Sequence, residues 1–341
     1  VTEEVLSKNI PFRRLRLFFL IVIAIFFIIP QPAEAQRDWL RWFGPKIGGL
    51  NPIVNYRVTG YGYSDVSYQH KDLRLTEHSG TLFSPLRQDD RSEWSAAANV
   101  RAHDIKTDAV LPTTGETFPE TLWDIRAGTL YRRKLDNGWI GGGSISIGSA
   151  SDRPFSGSKE SEVQATVFTR IPDGDRNAWL ILLTYSNNRE FLNNVPFPSA
   201  GYWFEPNDRY RLILGIPFAI IDLKPADGLT LEFFYLPVRT VHAGVSYRIA
   251  GPVRVYTAFD WRHESWFRRD RTDESHRLFY YEKRATAGIQ WDIFKGMTAD
   301  VSGGYSFDRL YFEGKDYGDR ARNRLDVNDG AFVSFQLAYR F

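Results

Sequence analysis

Apolar and polar residues alternate with a period of two through much of the chain. The pattern is clearest in the last ten residues, where Val333, Phe335, Leu337, Tyr339 and Phe341 share one face. Ser334, Gln336, Ala338 and Arg340 share the other, and Phe332 is the exception. Successive side chains of a strand point to opposite faces, so the stretch predicts a β-strand. In 253–263, Val253, Val255, Thr257, Phe259 and Trp261 oppose Arg254, Tyr256, Ala258, Asp260 and Arg262. In 282–292, Ala285, Ala287, Ile289 and Trp291 oppose Glu282, Arg284, Thr286, Gln290 and Asp292. Val301, Tyr305 and Phe307 likewise oppose Asp300, Ser302, Ser306 and Asp308.

Segments of this kind, separated by polar, Gly-rich or Pro-rich turns, predict fourteen strands. They are 53–68, 72–85, 92–107, 122–134, 137–149, 161–171, 176–188, 209–224, 229–237, 240–249, 253–266, 277–292, 297–313 and 328–341. Twelve is the alternative count, because 72–85 and 209–237 alternate weakly. An apolar strand face at a solvated edge invites aggregation. A closed barrel in a membrane removes the edge and covers that face with lipid. The expected fold is therefore all-β: one closed antiparallel transmembrane β-barrel over residues 53–341.

Turn lengths support this reading. With the N-terminus in the periplasm, the turns near 87–90, 135–138, 172–175, 225–228, 250–252 and 294–297 fall on the periplasmic side and are short. Connections 108–121, 150–160, 189–208, 267–276 and 314–327 fall outside and are long, although two outer ones, near 69–71 and 238–239, are short. That asymmetry is the one expected of an outer-membrane barrel. Trp291, Tyr339 and Phe341 at one end, and Trp266, Tyr281 and Tyr311 at the other, are expected in two interfacial girdles. Lys283, Arg309 and His263 break the apolar face near the outer end. A soluble β-sandwich is the competing fold, but it would need turns every 8–12 residues or so, and several segments here are longer.

The N-terminus changes the cellular picture. Lys8, Arg13, Arg14 and Arg16 precede an unbroken apolar run from Leu17 to Ile29, then Pro30 and Ala33-Glu34-Ala35. This is the layout of a secretory signal peptide over residues 1–35. An uncleaved anchor is the alternative, although the run is shorter than the ~20 residues of a spanning helix. Residues 36–52 form a lead-in, with Trp39, Trp42 and Phe43 placed to rest at the periplasmic interface or close the barrel floor.

Composition adds exclusions. Cys is absent, which removes disulfide and thiolate chemistry. The 43 basic and 41 acidic residues nearly cancel, which gives no support for a nucleic-acid partner. Aromatics make up 15% of the chain, as suits membrane interfaces. Charges expected on the lumen face cluster late: His242, Arg248, Arg254, Asp260, Arg262, Glu264, Glu282, Arg284, Asp292, Asp300 and Asp308. Charges in a lumen must be paired or hydrated. They form either a salt-bridged filling or a constriction that filters small polar solutes. Both signs are present, so no ion preference follows.

Other chemistry is thinly supported. His70, His78, His103, His242, His263 and His276 lie in no catalytic motif, and no Gly-x-Ser-x-Gly, His-Glu-x-x-His or phosphate loop is present. His263 with Ser265 on one face, and His103 with His70 or His78, are the pairs a lipid hydrolase would draw on. Gly141–Gly143 read as close packing. Asp316, Asp319 and Asp326 could hold a divalent cation, but their spacing matches no EF-hand loop. No cofactor is expected.

The C-terminal strand resembles the β-signal of bacterial outer-membrane barrels, which ends in Phe and is read by the barrel-assembly machinery. That resemblance makes Phe335, Leu337, Tyr339 and Phe341 an insertion signal. Tyr210–Pro217, Val241–Arg248, Phe259–Trp261 with Glu264-Ser265, Tyr281–Arg284, and Gly303–Arg309 with Tyr311–Gly314 carry a second likeness. Over Pro52–Phe341 the chain resembles a family of bacterial outer-membrane β-barrels carried as a domain of unknown function. The resemblance implies an outer-membrane address in a Gram-negative-type bacterium, with phospholipid and lipopolysaccharide as partners. It supplies no substrate and no catalytic residue. The functional expectation is a passive, water-filled channel for small solutes. The alternatives are a structural barrel with a salt-bridged, closed lumen, a hydrophobic-ligand transporter, or a lipid-modifying enzyme.

Overall fold

The structure, a computed structural model, describes residues 42–189, 193–236 and 240–341. The predicted signal peptide and residues 36–41, including Trp39, lie outside the described residues. The chain enters the sheet with β1 (Ile53–Tyr61) and the short β2 (Ser64–Val66), and descends in β3 (Lys71–Gln88). Hairpins continue through β4 (Ser92–Thr107), β5 (Thr121–Lys134), β6 (Ile140–Ser151), β7 (Ser161–Asp173) and β8 (Asn177–Ser186). Next come β9 (Phe197–Asn207), β10 (Tyr210–Ile216), β11 (Ala219–Ala226) and β12 (Leu229–Leu236). The wall ends with β13 (Thr240–Ala250), β14 (Val253–Trp266), β15 (Arg277–Phe294), β16 (Met297–Gly314), β17 (Arg324–Val327) and β18 (Gly330–Arg340).

β18 pairs antiparallel with β1, Arg340 opposite Ile53 and Phe332 opposite Tyr61, so the sheet closes and has no edge. β2 and β17 meet through Val66 and Val327 and prolong this seam outward. The ring thus has sixteen strands, which overturns the expected fourteen and the alternative twelve. Both extra strands lie where proline and glycine dilute the alternation. The segment 209–224, read as one strand, is the β10–β11 hairpin, closed by a hydrogen bond from Gly215 N to Phe218 O of 2.9 Å. Pro217 has no amide to give a ladder and marks the turn. The expected loop 189–208 contains β9, masked in the sequence by Pro198, Gly201 and Pro206. Adding two strands keeps the parity, so the short turns named above stay on the periplasmic side, and Asp208–Arg209 joins them.

The outer face carries a broad apolar belt. Val333, Phe335, Val301, Tyr305, Ile289 and Trp291 are all exposed on it. Nothing in water would hold such a surface, whereas lipid does. Strand heights differ around the ring: β3, β15 and β16 run 18 residues, while β10 has 7 and β11 and β12 have 8.

One irregularity reverses part of the expected pattern. Tyr281 faces Leu310 across β15–β16, yet Lys283 faces Phe307. Asp308 and Arg309 therefore both oppose Glu282, a β-bulge with Asp308 at φ 51°. Asp308, expected in the lumen, turns outward and accepts from Lys283 Nζ at 2.6 Å. Arg309, expected outside, is buried in the lumen. Tyr311 follows it inward. Tyr311 thus belongs to the interior and not to the outer girdle, and so does Trp266, which shares the lumen face of β14 with Arg262 and Glu264.

Candidate functional site

The lumen is filled at two levels. On the outer side, β3, β4, β5, β13, β14 and β15 send charged or titratable side chains to one point. Arg262 donates to Glu77 at 3.0 Å, to Glu282 at 2.8 Å and to Glu264 at 2.6 Å. Arg101 donates to Glu264 and, at 3.0 Å, to Asp124. Arg284 lies 3.7 Å from Glu77 and Glu282 and 3.9 Å from Asp260. His103 Nε2 is 3.2 Å from Glu264, and His242 Nδ1 is 2.8 Å from Asp260. The phenols of Tyr61 and Tyr280 and the Ser306 hydroxyl complete the shell of Glu282 at 3.1, 3.0 and 2.7 Å. Carboxylates and guanidiniums are thus interleaved, which offsets the cost of removing each from water.

Above this layer lies an apolar cap. Leu73, Leu75, Trp266, Leu278, Tyr280 and Tyr311 are buried there. The connection between β4 and β5 folds inward and adds Ala109, Leu111 and Phe118, with Phe118 edge-on to Tyr311 at 5.2 Å. Arg268 ties this connection down by pairing with Glu116 and with Glu313, the latter at 3.2 Å. Burial pushes the Glu116 carboxyl up, but the adjacent Arg268 guanidinium outweighs it and holds the group below its ordinary value.

On the periplasmic side the lead-in enters the barrel. Phe43 is buried against Phe168, ring edge to face at 4.8 Å, with Trp42 and Ile47 packed beside it. Buried Arg132 donates to the carbonyls of Trp42, Gly44 and Lys46 at 2.8, 3.0 and 2.8 Å, and to Glu93 at 2.7 Å. Glu93 also accepts from Gly48 N at 2.9 Å, and Gln88 exchanges two 3.0 Å bonds with Leu50. The lead-in therefore forms a strap across the floor.

Among the described residues the lumen keeps a polar and an apolar chamber. The polar one of ≈ 380 Å³ lies below the charge layer, bounded by Arg57, Tyr256, Asp260, Arg284, Asp300 and Gln336. It continues toward the periplasmic mouth past Arg254, Gln290, Asp292 and Arg340. The apolar one of ≈ 150 Å³ lies over the strap, on the β4–β12 side.

The structure brings Arg262, Glu264, Glu282, Arg284, Asp260 and His242 together in the charge layer. Asp300 sits lower and accepts from Tyr256 at 2.9 Å, and Arg254 donates to Gln290 at 3.2 Å. Arg248 and Asp292 are exposed at the mouth, bonded to Gly251 O and Thr298 respectively. Asp308 lies outside. Sequence reasoning missed Glu77 and Arg101, and it named His103 only for a hydrolase pair and not for the lumen. Their strands carry Leu73, Leu75 and Ile105 on the same face, for the cap, which obscured the polar pattern. Phe332, the exception in the last strand, faces inward against Tyr61 at 5.7 Å, with Arg284 over its ring at 5.4 Å. Phe335, Leu337, Tyr339 and Phe341 lie outward along the seam, as the alternation required.

One of the candidate pairs separates. His103 faces the lumen, whereas His78 faces out, beside Tyr56 OH at 2.8 Å and Asp104 at 3.4 Å. His263 stacks on Phe279 at 5.2 Å, beneath Tyr317. Asp316 caps the turn Tyr317–Asp319, Asp319 accepts from Lys315 N, and Asp326 pairs with Arg324, so the three carboxylates do not converge. Among the described residues no cluster of His, Asp and Glu is arranged to hold a metal.

No family model matches the chain, and no curated protein does. Among solved structures it is similar to an outer membrane channel from Pseudomonas putida F1, at 10% identity over 87% of this chain and 97% of that one, with a TM-score of 0.37. The toluene transporter TodX of Pseudomonas putida is 9% identical over 85% and 89% (TM-score 0.39). The translocator domain of the autotransporter NalP from Neisseria meningitidis is 9% identical over 91% and 96% (TM-score 0.31). Values this low carry no functional argument. The closed ring, apolar belt and short periplasmic turns do, and they are those of an outer-membrane β-barrel of a Gram-negative-type bacterium.

Proposed function

We propose that this barrel is closed to water and ions in its resting conformation and serves as a sealed outer-membrane element. It is not a permanently open porin. The observation that carries the reading is the layer in which Arg262 bridges Glu77, Glu264 and Glu282 under an aromatic cap. A permanently open pore leaves its lumen charges facing water, whereas these are buried and paired with one another. The polar chamber of ≈ 380 Å³, continuous with the periplasmic mouth, favours a second reading: small polar solutes enter from the periplasm and pass when the layer separates. Phe335, Leu337, Tyr339 and Phe341, on the closing strand, are read as the insertion signal for the assembly machinery. Phospholipid and lipopolysaccharide are the lipids the belt would meet. The reading assigns no catalytic step.

Planar-bilayer recording tests it. The wild-type chain should show no steady stepwise conductance, and Arg262→Gln combined with Tyr311→Ala should introduce it. Steady large steps from the wild-type chain overturn the reading.

A further inference from the structure

The apolar chamber is a built cavity. Leu130, Phe168, Leu182, Phe234 and Leu236 form its wall, and Trp42 and Phe43 form its floor. Its one charged group and most of its polar ones are paired, while the buried Ser95 hydroxyl has no hydrogen-bond partner and could meet at most one polar atom of a ligand. Arg126 donates to Gln164 at 2.9 Å and Glu162 at 2.8 Å, Thr166 and Thr184 bond at 3.2 Å, and Asn99 accepts from Thr81 at 3.0 Å. A ligand there finds no charge seeking a partner, so it must be neutral and largely apolar. The volume of ≈ 150 Å³ sets its size. An apolar cavity of about that volume admits a single benzene ring.

The wall beside the cavity is the lowest in the barrel. The seven residues of β10 rise about 3.3 Å each, so at a tilt of ~40° the strand gains roughly 18 Å against a belt of about 25 Å. The outward residues confirm the shortfall. Leu214 and Ile216 are 55% and 60% exposed, so the hairpin is apolar right up to its tip. On β3, by contrast, Asp72, Arg74 and Thr76 form a polar collar above the belt. At the β10–β11 tip the chain turns inward, and Pro217 and buried Phe218 line the cavity directly. Among the described residues this turn is the part of the cavity lining that lies at the outer rim of the short wall.

We infer that the chamber is a binding site for a small, neutral, single-ring or short-alkyl hydrocarbon, which enters sideways from the outer leaflet over the β10–β11 tip. The strap keeps the ligand from the periplasm, and the charge layer keeps ions from following. The inference goes beyond the closed-barrel reading and does not depend on the conductance result.

The test uses the full chain in lipid nanodiscs with fluorobenzene as probe, followed by ¹⁹F NMR against empty nanodiscs. A bound resonance is expected for the wild type. Ala97→Phe, which projects into the cavity, should weaken binding by about tenfold or more. Ala98→Phe, one residue along on the lipid face, should leave it unchanged and controls for added apolar surface. Lengthening the β10–β11 hairpin by two polar residues per strand should slow exchange by about tenfold with the affinity held. Folding of every variant is checked by its heat-dependent gel shift. No bound resonance in the wild type, or equal affinity in Ala97→Phe, overturns the site. Unchanged exchange in the lengthened variant overturns the sideways route. Mass spectrometry that finds a resident lipid acyl chain, with fluorobenzene excluded, overturns the ligand class.

Discussion

Glu282→Gln is the sharpest probe of the charge layer. Glu282 is fully buried and accepts from Arg262, Tyr61, Tyr280 and Ser306. Glutamine keeps the volume and one carbonyl oxygen, and the three hydroxyls can rotate to accept from its amide. What is lost is one negative charge among Arg262, Arg284 and Arg309. Removing one member of a buried pair costs about 3–5 kcal/mol, because the partner stays desolvated. Arg262 retains Glu77 and Glu264, so the expected loss lies at the lower end, about 3 kcal/mol. Reversible urea unfolding in bilayers, followed by tryptophan fluorescence, measures it. Asp292→Asn, at the exposed mouth, should stay within about 0.5 kcal/mol of wild type. Arg262→Gln and Glu282→Gln together should cost less than the sum of the two single losses, with a coupling of roughly 1–3 kcal/mol. A Glu282→Gln chain as stable as wild type, or strictly additive single and double variants, would refute the layer as a coupled unit.

Arg132→Gln should release the strap, seen as faster amide exchange at Gly48 and Leu50 while the β-sheet amides keep their protection. Gly304→Ala drives a methyl into the Ala285 carbonyl oxygen of the neighbouring strand and to 2.8 Å from the Phe332 ring, so at least about 1–3 kcal/mol of stability should go, read from the heat-dependent gel shift. The Glu116 carboxyl lies below its ordinary value, so its contribution is complete above the unfolded glutamate value of about 4.3. That contribution is lost as pH falls through the lower folded value. Protease cleavage within 108–120 should therefore rise on acidification through that range, and Glu116→Gln should show the acid behaviour already at neutral pH.

Strands β13 to β16 and β18 were legible because one face meets lipid and the other meets charge, so every second residue changes character. Between β8 and β12 both faces are apolar: Trp179 and Ile181 point out, while Leu180 and Leu182 point into the cavity wall. Period two vanishes when there is nothing to contrast. Prolines at 198, 206 and 217 then removed the remaining signal, and two strands went uncounted. The strap was invisible for another reason. Its carbonyls are held by Arg132, from a distant strand, and no local pattern records that. The bulge at Asp308 depends on a single backbone angle, so the exchange of places between Asp308 and Arg309 could not be read from spacing.

The uneven rim has a mechanical consequence. Hydrocarbon adapts to a short wall by thinning, or the embedded object leans, at a cost of fractions of a kcal/mol per Å of mismatch. With β10 at 7 residues and β15 at 18, an upright cylinder in a flat sheet suits neither flank. The molecule should lean, or dimple the leaflet beside its short flank, and so gather loosely packed acyl tails beside that notch.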